Sequence, residues 1–249
     1  RRSSDLANAG SIDGGGNTGW SGFVTDPFTW KGVTTDASLG SNWQGGTQPG
    51  PNDLALFTGQ FNTNCSLIDL AGTINTWKGI LLTTGYTGVI TKSNASYSYG
   101  SLGIEVNGGT LDLAGCAVTN GGRLKQTGGT YLAPTTHVIT AQGSTVQTVA
   151  VTGGTHTHNS GAVTITGSAD AIINNTSARQ FYDFSTSSFT GKLSGTYFTD
   201  NSMTLQNQEF NGDASCKVAA TVGTLTGTGI IRIIGVNLGL SAVEIPAVQ

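Results

Sequence analysis

The chain has 249 residues, of which 38 are Gly, 5 are Pro and only 10% are charged. Glycine in excess without a three-residue period excludes collagen, and an apolar share of 37% excludes plain disorder, which leaves a folded, turn-rich β protein. A net charge of -3, with 11 Lys plus Arg scattered along the chain, excludes a basic nucleic-acid face, and so low a charge density points to a secreted chain or one packed into an assembly.

Residues 1–60 read as an N-terminal arm followed by a Trp-rich cap. The opening RRSSDLANAGSIDGGG holds no apolar run of signal-peptide type, and no stretch reaches the roughly 20 apolar residues of a membrane span. Trp20, Trp30 and Trp43 lie among turn clusters such as NWQGGTQPGPND, a texture that suits a lid over a regular body.

Residues 61–178 are that body. Short stretches such as GILLTT, LGIEV, TYLA, HVIT and AVTITG alternate with turn signals, and pairs such as Leu111 and Leu113, or Val163 and Ile165, recur with the period of a half-buried strand. Gly-Gly-Thr is written three times, in VNGGTLDLAG, QTGGTYLAPT and VTGGTHTHNS, beginning at Gly108, Gly128 and Gly153. Repetition at that spacing predicts a β-solenoid, with glycines turning the chain and the Thr- and Val-rich strands after them stacking on the preceding rung.

Residues 179–249 continue the body with Phe181, Phe184, Phe189, Phe198 and Phe210, read as wider rungs or a second face. The chain then closes on GTGIIRIIGVNLGLSAVEIPAVQ. Ile230, Ile231, Ile233 and Ile234 put apolar side chains on both faces of one strand, the pattern of a strand covered on both sides, within the solenoid or between chains. These four are the candidate assembly residues.

The stretch NWQGGTQPGPNDLALFTG, running into NCSLIDLAGTINTWKGILLTTGYTGVIT, resembles the opening of secreted bacterial β-solenoid surface proteins of the autotransporter-passenger type. The resemblance covers about residues 40–170. It implies a right-handed parallel β-helix with an extracellular structural or adhesive role, and it brings no catalytic residues with it.

Candidate chemistry is sparse. His156 and His158 share one strand face and, with His137 from a neighbouring rung, are the only candidates for a metal, yet no Cys or carboxylate lies at a ligand spacing beside them. Cys65, Cys116 and Cys216 lack CxxC spacing and read as buried thiols, or as one disulfide plus a spare. Glu105 with Asp112, or Asp183, Asp200 and Asp213, are the carboxylates that glycoside cleavage would need, but they stand alone among turn residues. Tyr97 and Tyr99, with Trp43, are the aromatics placed to stack on sugars.

The expectation is an all-β parallel β-helix with a Trp-rich cap, without catalytic residues, cofactor or metal. It would be an extracellular or cell-surface structural protein whose partners are copies of itself, forming a layer, filament or coat, with surface glycans as a further partner. A phage virion decoration or fibre protein, and a polysaccharide-binding or polysaccharide-cleaving β-helix, are the alternatives.

Overall fold

The computed structural model describes residues 28–67, 76–92, 96–206, 208–233 and 243–246. The protein is all-β, and its parallel strands form a β-solenoid of about eight turns. Among the described residues the only helical elements are single 3-10 turns at Gly40–Asn42 and Ser177–Arg179, and no helix is long and apolar enough to cross a membrane.

Three parallel ladders hold the solenoid together. The first is traced on its outer side by Leu56, Leu81, Glu105, Lys125, Ala150, Asn174, Thr196, Asp213 and Ile230, each paired with the next. The turns between these positions differ in length. The turn from Glu105 to Lys125 is shorter than the one from Lys125 to Ala150, and the last two, Thr196 to Asp213 and Asp213 to Ile230, are the shortest of the series. The uneven Gly-Gly-Thr spacing therefore reflects two genuine turns of different length. The second ladder stacks Cys65, Ile90, Leu111, Tyr131 and His156. The third stacks Tyr97, Val118, His137, Val163, Phe184, Met203 and Ala220.

The glycine pairs turn the chain from the first ladder to the second. Strands Leu124–Leu132 and Gln147–Thr157 pass through this corner without interruption, so Thr110, Thr130 and Thr155 pair in register on its far side. The second glycine of each pair has positive φ, at 58° for Gly109, 60° for Gly129 and 73° for Gly154. A Cβ on Gly154 would lie 2.3 Å from the carbonyl oxygen of Gly129, so the stacked corners admit glycine alone.

Alternation sends one side-chain set inward, and nearly all of it is apolar. Ala55, Ile80, Ile104, Leu124, Val149 and Ile173 form one buried column on the first ladder. The first and third ladders continue unbroken past residue 178. Beyond it Phe181, Phe184, Tyr197 and Phe210 fill the core in successive ring contacts of 5.8, 4.7 and 6.1 Å. The wider rungs expected there do not occur. Turns shorten instead, and the large rings alternate with smaller buried residues such as Met203, Ala214 and Cys216.

Residues 28–53 close the N-terminal end. Thr29 bridges to Leu56 and Asp36 to Ser66, both parallel, so the cap lies on the first turn as a partial rung. Trp30 and Trp43, fully buried, meet edge to face at 5.1 Å, and Trp43 meets Trp77 at 5.4 Å. Each cap indole donates to a backbone carbonyl, Trp43 to Ala37 at 2.9 Å and Trp30 to Thr63 at 3.2 Å. Trp20 lies outside the described residues.

Candidate functional site

The outer side of the third ladder is a regular surface. Val138, Thr164, Ser185, Thr204 and Thr221 align in register across five strands. Thr136, Ala162, Asp183 and Ser202 form a flanking row on one side, and Thr140 and Thr166 pair on the other. Thr164 and Ser185 share a hydroxyl-to-hydroxyl bond of 2.9 Å. Of the residues in these rows only Asp183 is charged, and it is satisfied locally, accepting from Asn201 Nδ2, the Ser202 amide and Ser202 Oγ. The result is a hydroxyl-rich wall with a single charge in its rows.

The densest reactive cluster sits at the turn before that wall. The ring of His158 lies 5.2 Å from that of Tyr182, and its Nε2 is 3.4 Å from Asp200 Oδ2. Asp200 Oδ1 accepts from Lys217, and this bond holds the carboxyl below the usual range. The amide of Ser160 donates to His158 Nδ1 at 3.0 Å, so the neutral ring carries its proton on Nε2, directed at Asp200. Both ring nitrogens and both carboxylate oxygens are thus engaged within the protein. The cluster forms a clamp across four stacked turns.

The other carboxylates are likewise spoken for. Glu105 accepts from Arg123 and Lys125 at 2.8 Å each and from Asn107 at 3.0 Å. Burial pushes its carboxyl up, but these hydrogen bonds and the two cations outweigh burial and bring it down. Asp112, on a different ladder, closes a turn by accepting from the Ala114 amide at 3.0 Å. Asp213 pairs with Arg232. No two carboxylates face each other across a cleft among the described residues. The grooves there are shallow. One of about 500 Å³ is lined by Ser188, Phe189, Thr190, Leu205, Gln206 and Gly223, and one of about 250 Å³ by Thr35, Asn64, Cys65, Ser66, Val89 and Thr91.

The aromatics expected to stack on sugars are core residues. Tyr97 and Tyr99 do share one strand face, but it is the inward one: they are 0% and 1% exposed, and their rings touch at 4.4 Å. Trp43 is the centre of the cap, 0% exposed. None of the three presents a ring to a glycan, because a period of two identifies residues on a common face without saying which face is buried.

The histidines likewise take separate partners. His156 turns inward, its Nδ1 3.1 Å from Gln126 Oε1, His158 joins the clamp, and His137 is buried against the hydroxyl of Tyr131 at 3.4 Å. No group of three His, Cys, Asp or Glu side chains able to hold a metal ion occurs among the described residues. Cys65, Cys116 and Cys216 are buried thiols that form no disulfide with one another, and burial raises those of Cys65 and Cys216.

Of the C-terminal isoleucines, Ile231 is fully buried, and Ile230–Ile233 lies between Gln208–Cys216, parallel, and Val243–Pro246, antiparallel. Both edges of this strand are used within the chain. Ile234 lies outside the described residues.

The clamp, the hydroxyl-rich wall and the buried histidines left no mark in the sequence strong enough to assign them, since each is built from residues about one turn apart. No family model, no curated protein and no solved structure matches the chain.

Proposed function

We propose that this chain is a non-enzymatic structural rod, working outside the cell, that assembles with copies of itself through its C-terminal end. The observation that carries this reading is the inequality of the two ends. The N-terminal end is covered by its tryptophan cap. At the other, Ala219–Val222, Leu225–Thr226 and Val243–Pro246 each have a ladder partner on one side only among the described residues. Strand edges with unpaired amide and carbonyl groups are templates for another chain.

Two further features support the reading. The third wall, hydroxyl-rich and with one charge in its rows, lets copies lie side by side with little charge repulsion. The engaged state of His158, Asp183, Asp200 and Glu105 favours holding turns together over turnover. The extracellular setting rests on the low charge density and on the resemblance noted above.

Electron microscopy of the purified protein tests the assignment. Filaments or a lattice are expected, and a monodisperse monomer at high concentration contradicts it. Incubation with acidic and neutral glycans should release no reducing ends or unsaturated products. Product formation would move the assignment to a polysaccharide-cleaving β-helix.

A further inference from the structure

The inward columns are mostly apolar, with buried polar side chains such as Asn175 and the bonded pair Thr186 and Gln208 among them, and one block holds imidazoles. On the first ladder Phe57, Leu82 and Val106 are followed by Gln126, on the second Ile90 and Leu111 lead through Tyr131 to His156, and on the third Tyr97 and Val118 are followed by His137. Within about two turns each wall thus sends one polar side chain inward. Gln126 and His137 are 0% and 2% exposed.

The block is satisfied only while both imidazoles are neutral. Gln126 Nε2 donates to the Thr155 carbonyl at 2.9 Å, which leaves its Oε1 to accept the proton on His156 Nδ1. The ring of His156 then sits between those of Tyr131 at 5.5 Å and Phe181 at 6.1 Å, so a second proton would enter an aromatic slot. Arg179, whose guanidinium donates to the Gly154 carbonyl, and His158 add positive charge near it. His137 is enclosed by Val118 and Gly121 from the preceding turn, Val163 from the next and Tyr131 beside it, with His156 the nearest other imidazole. Among the described residues no carboxylate pairs with either ring.

We propose that this block is an acid-labile joint: protons taken up by His137 and His156 open the turns between about residues 124 and 158, while the aromatic-cored turns on either side stay stacked. A solenoid permits this because each turn is held chiefly by its neighbours, so one segment can open below the global unfolding limit.

The sign follows from burial, which lowers His137 to about 3, with His156 adding to it, and lowers His156 to about 4, with His158 and Arg179 adding to it. A free histidine titrates near 6.5. The stability tied to the neutral rings is therefore complete above that value. It is lost as pH falls through about 6.5 toward about 4 for His156 and about 3 for His137. Across that window an opening that frees both rings grows by up to about 100-fold per pH unit, or about tenfold for one ring. Glu105, on the preceding turn and held below the ordinary carboxylate range, titrates below most of this window.

Hydrogen exchange on the whole protein between pH 7 and 4.5, corrected for intrinsic rates, tests the joint. Amides in 124–140 and 147–158 should lose protection with a logarithmic slope approaching two, while 76–91 and 208–216 keep theirs. His137→Leu and His156→Gln should each bring the slope toward one, and the double variant toward zero. Uniform loss along the chain, or an unchanged slope in a folded double variant, overturns the joint. Should the variants fail to fold, the imidazole titrations of the natural protein decide. Folded values well below 6.5 support it, and values at or above 6.5 for both rings overturn it.

Discussion

The two ends of the solenoid solve the same problem in opposite ways. Any stack of parallel strands must finish with ladder groups and core surface that lack a next turn. At the N-terminal end residues 28–53 lie across the first turn with two bridges, and Trp30, Trp43, Trp77 and Phe57 interlock beneath them with centroid distances of 5.1 to 5.8 Å. At the C-terminal end the turns contract to their shortest, from Thr196 to Asp213 and on to Ile230, and an antiparallel strand, Val243–Pro246, replaces the next parallel one. The first device buries a large aromatic mass. The second reverses one strand and leaves single-sided edges at Ala219–Val222 and Leu225–Thr226 among the described residues. This inequality among the described residues gives the stack a direction, and the proposed assembly uses it, since a directional body can polymerise without closing on itself.

The largest way to break the contrast is to empty the cap. Trp43→Ala removes the ring at its centre and should cost about 3–5 kcal/mol in urea unfolding. Ile231→Ala, equally buried but at the open end, should cost about 2 kcal/mol, the lower part of the range for aliphatic truncation, because fewer turns enclose it. Equal losses would remove the distinction between the ends.

The glycine corner comes next. Gly154→Val places a β-branched residue at φ 73° with its Cβ against the Gly129 carbonyl, and should cost at least about 2 kcal/mol. Gly143→Val shares the positive φ, at 96°, but meets nothing within 4 Å, so it should lose only the strain part. The difference between the two, read by thermal unfolding, isolates what stacking adds to the corner.

How far the sequence spoke is visible in these residues. The three Gly-Gly-Thr words mark stacked corners, and the alternation of Leu111 with Leu113 and of Val163 with Ile165 marks inward positions, since φ and the period of two are local properties that a sequence displays directly. Tyr97 and Tyr99 were legible as a pair and illegible as to side, because only the ladder to Trp77 and Val118 decides which face is covered. The clamp of His158, Tyr182, Asp200 and Lys217 exists only because four turns stack, so no short window of sequence contains it. The C-terminal isoleucines were legible as a strand covered on two sides. That both edges of this strand are paired within the chain was not legible, since Val243–Pro246 lies well beyond Ile233 and runs the other way.

Two smaller substitutions sharpen the comparison between a core that seals and a surface that is merely paired. Glu105→Gln removes one carboxylate from a partly exposed cluster and should cost less than about 1 kcal/mol, with the loss shrinking further in high salt. Tyr97→Phe deletes a buried hydroxyl with no hydrogen-bond partner among the described residues. It should leave stability unchanged or raise it by about 1 kcal/mol in the same unfolding assay. A marked loss would mean that the hydroxyl has a partner, such as a buried water, within the aromatic turns.

The directional account is tested most directly by sedimentation velocity over a concentration series, comparing the natural chain with Thr226→Lys. Thr226 is exposed on the single-sided strand Leu225–Thr226, where a lysine blunts the edge with its charge without touching the core or the ladder to Gln208–Cys216. The account predicts large, concentration-dependent species for the natural chain and a folded monomer, with an unchanged β circular dichroism spectrum, for the variant. A natural chain that stays monomeric throughout the series, or a variant that assembles as readily as its parent, would contradict it.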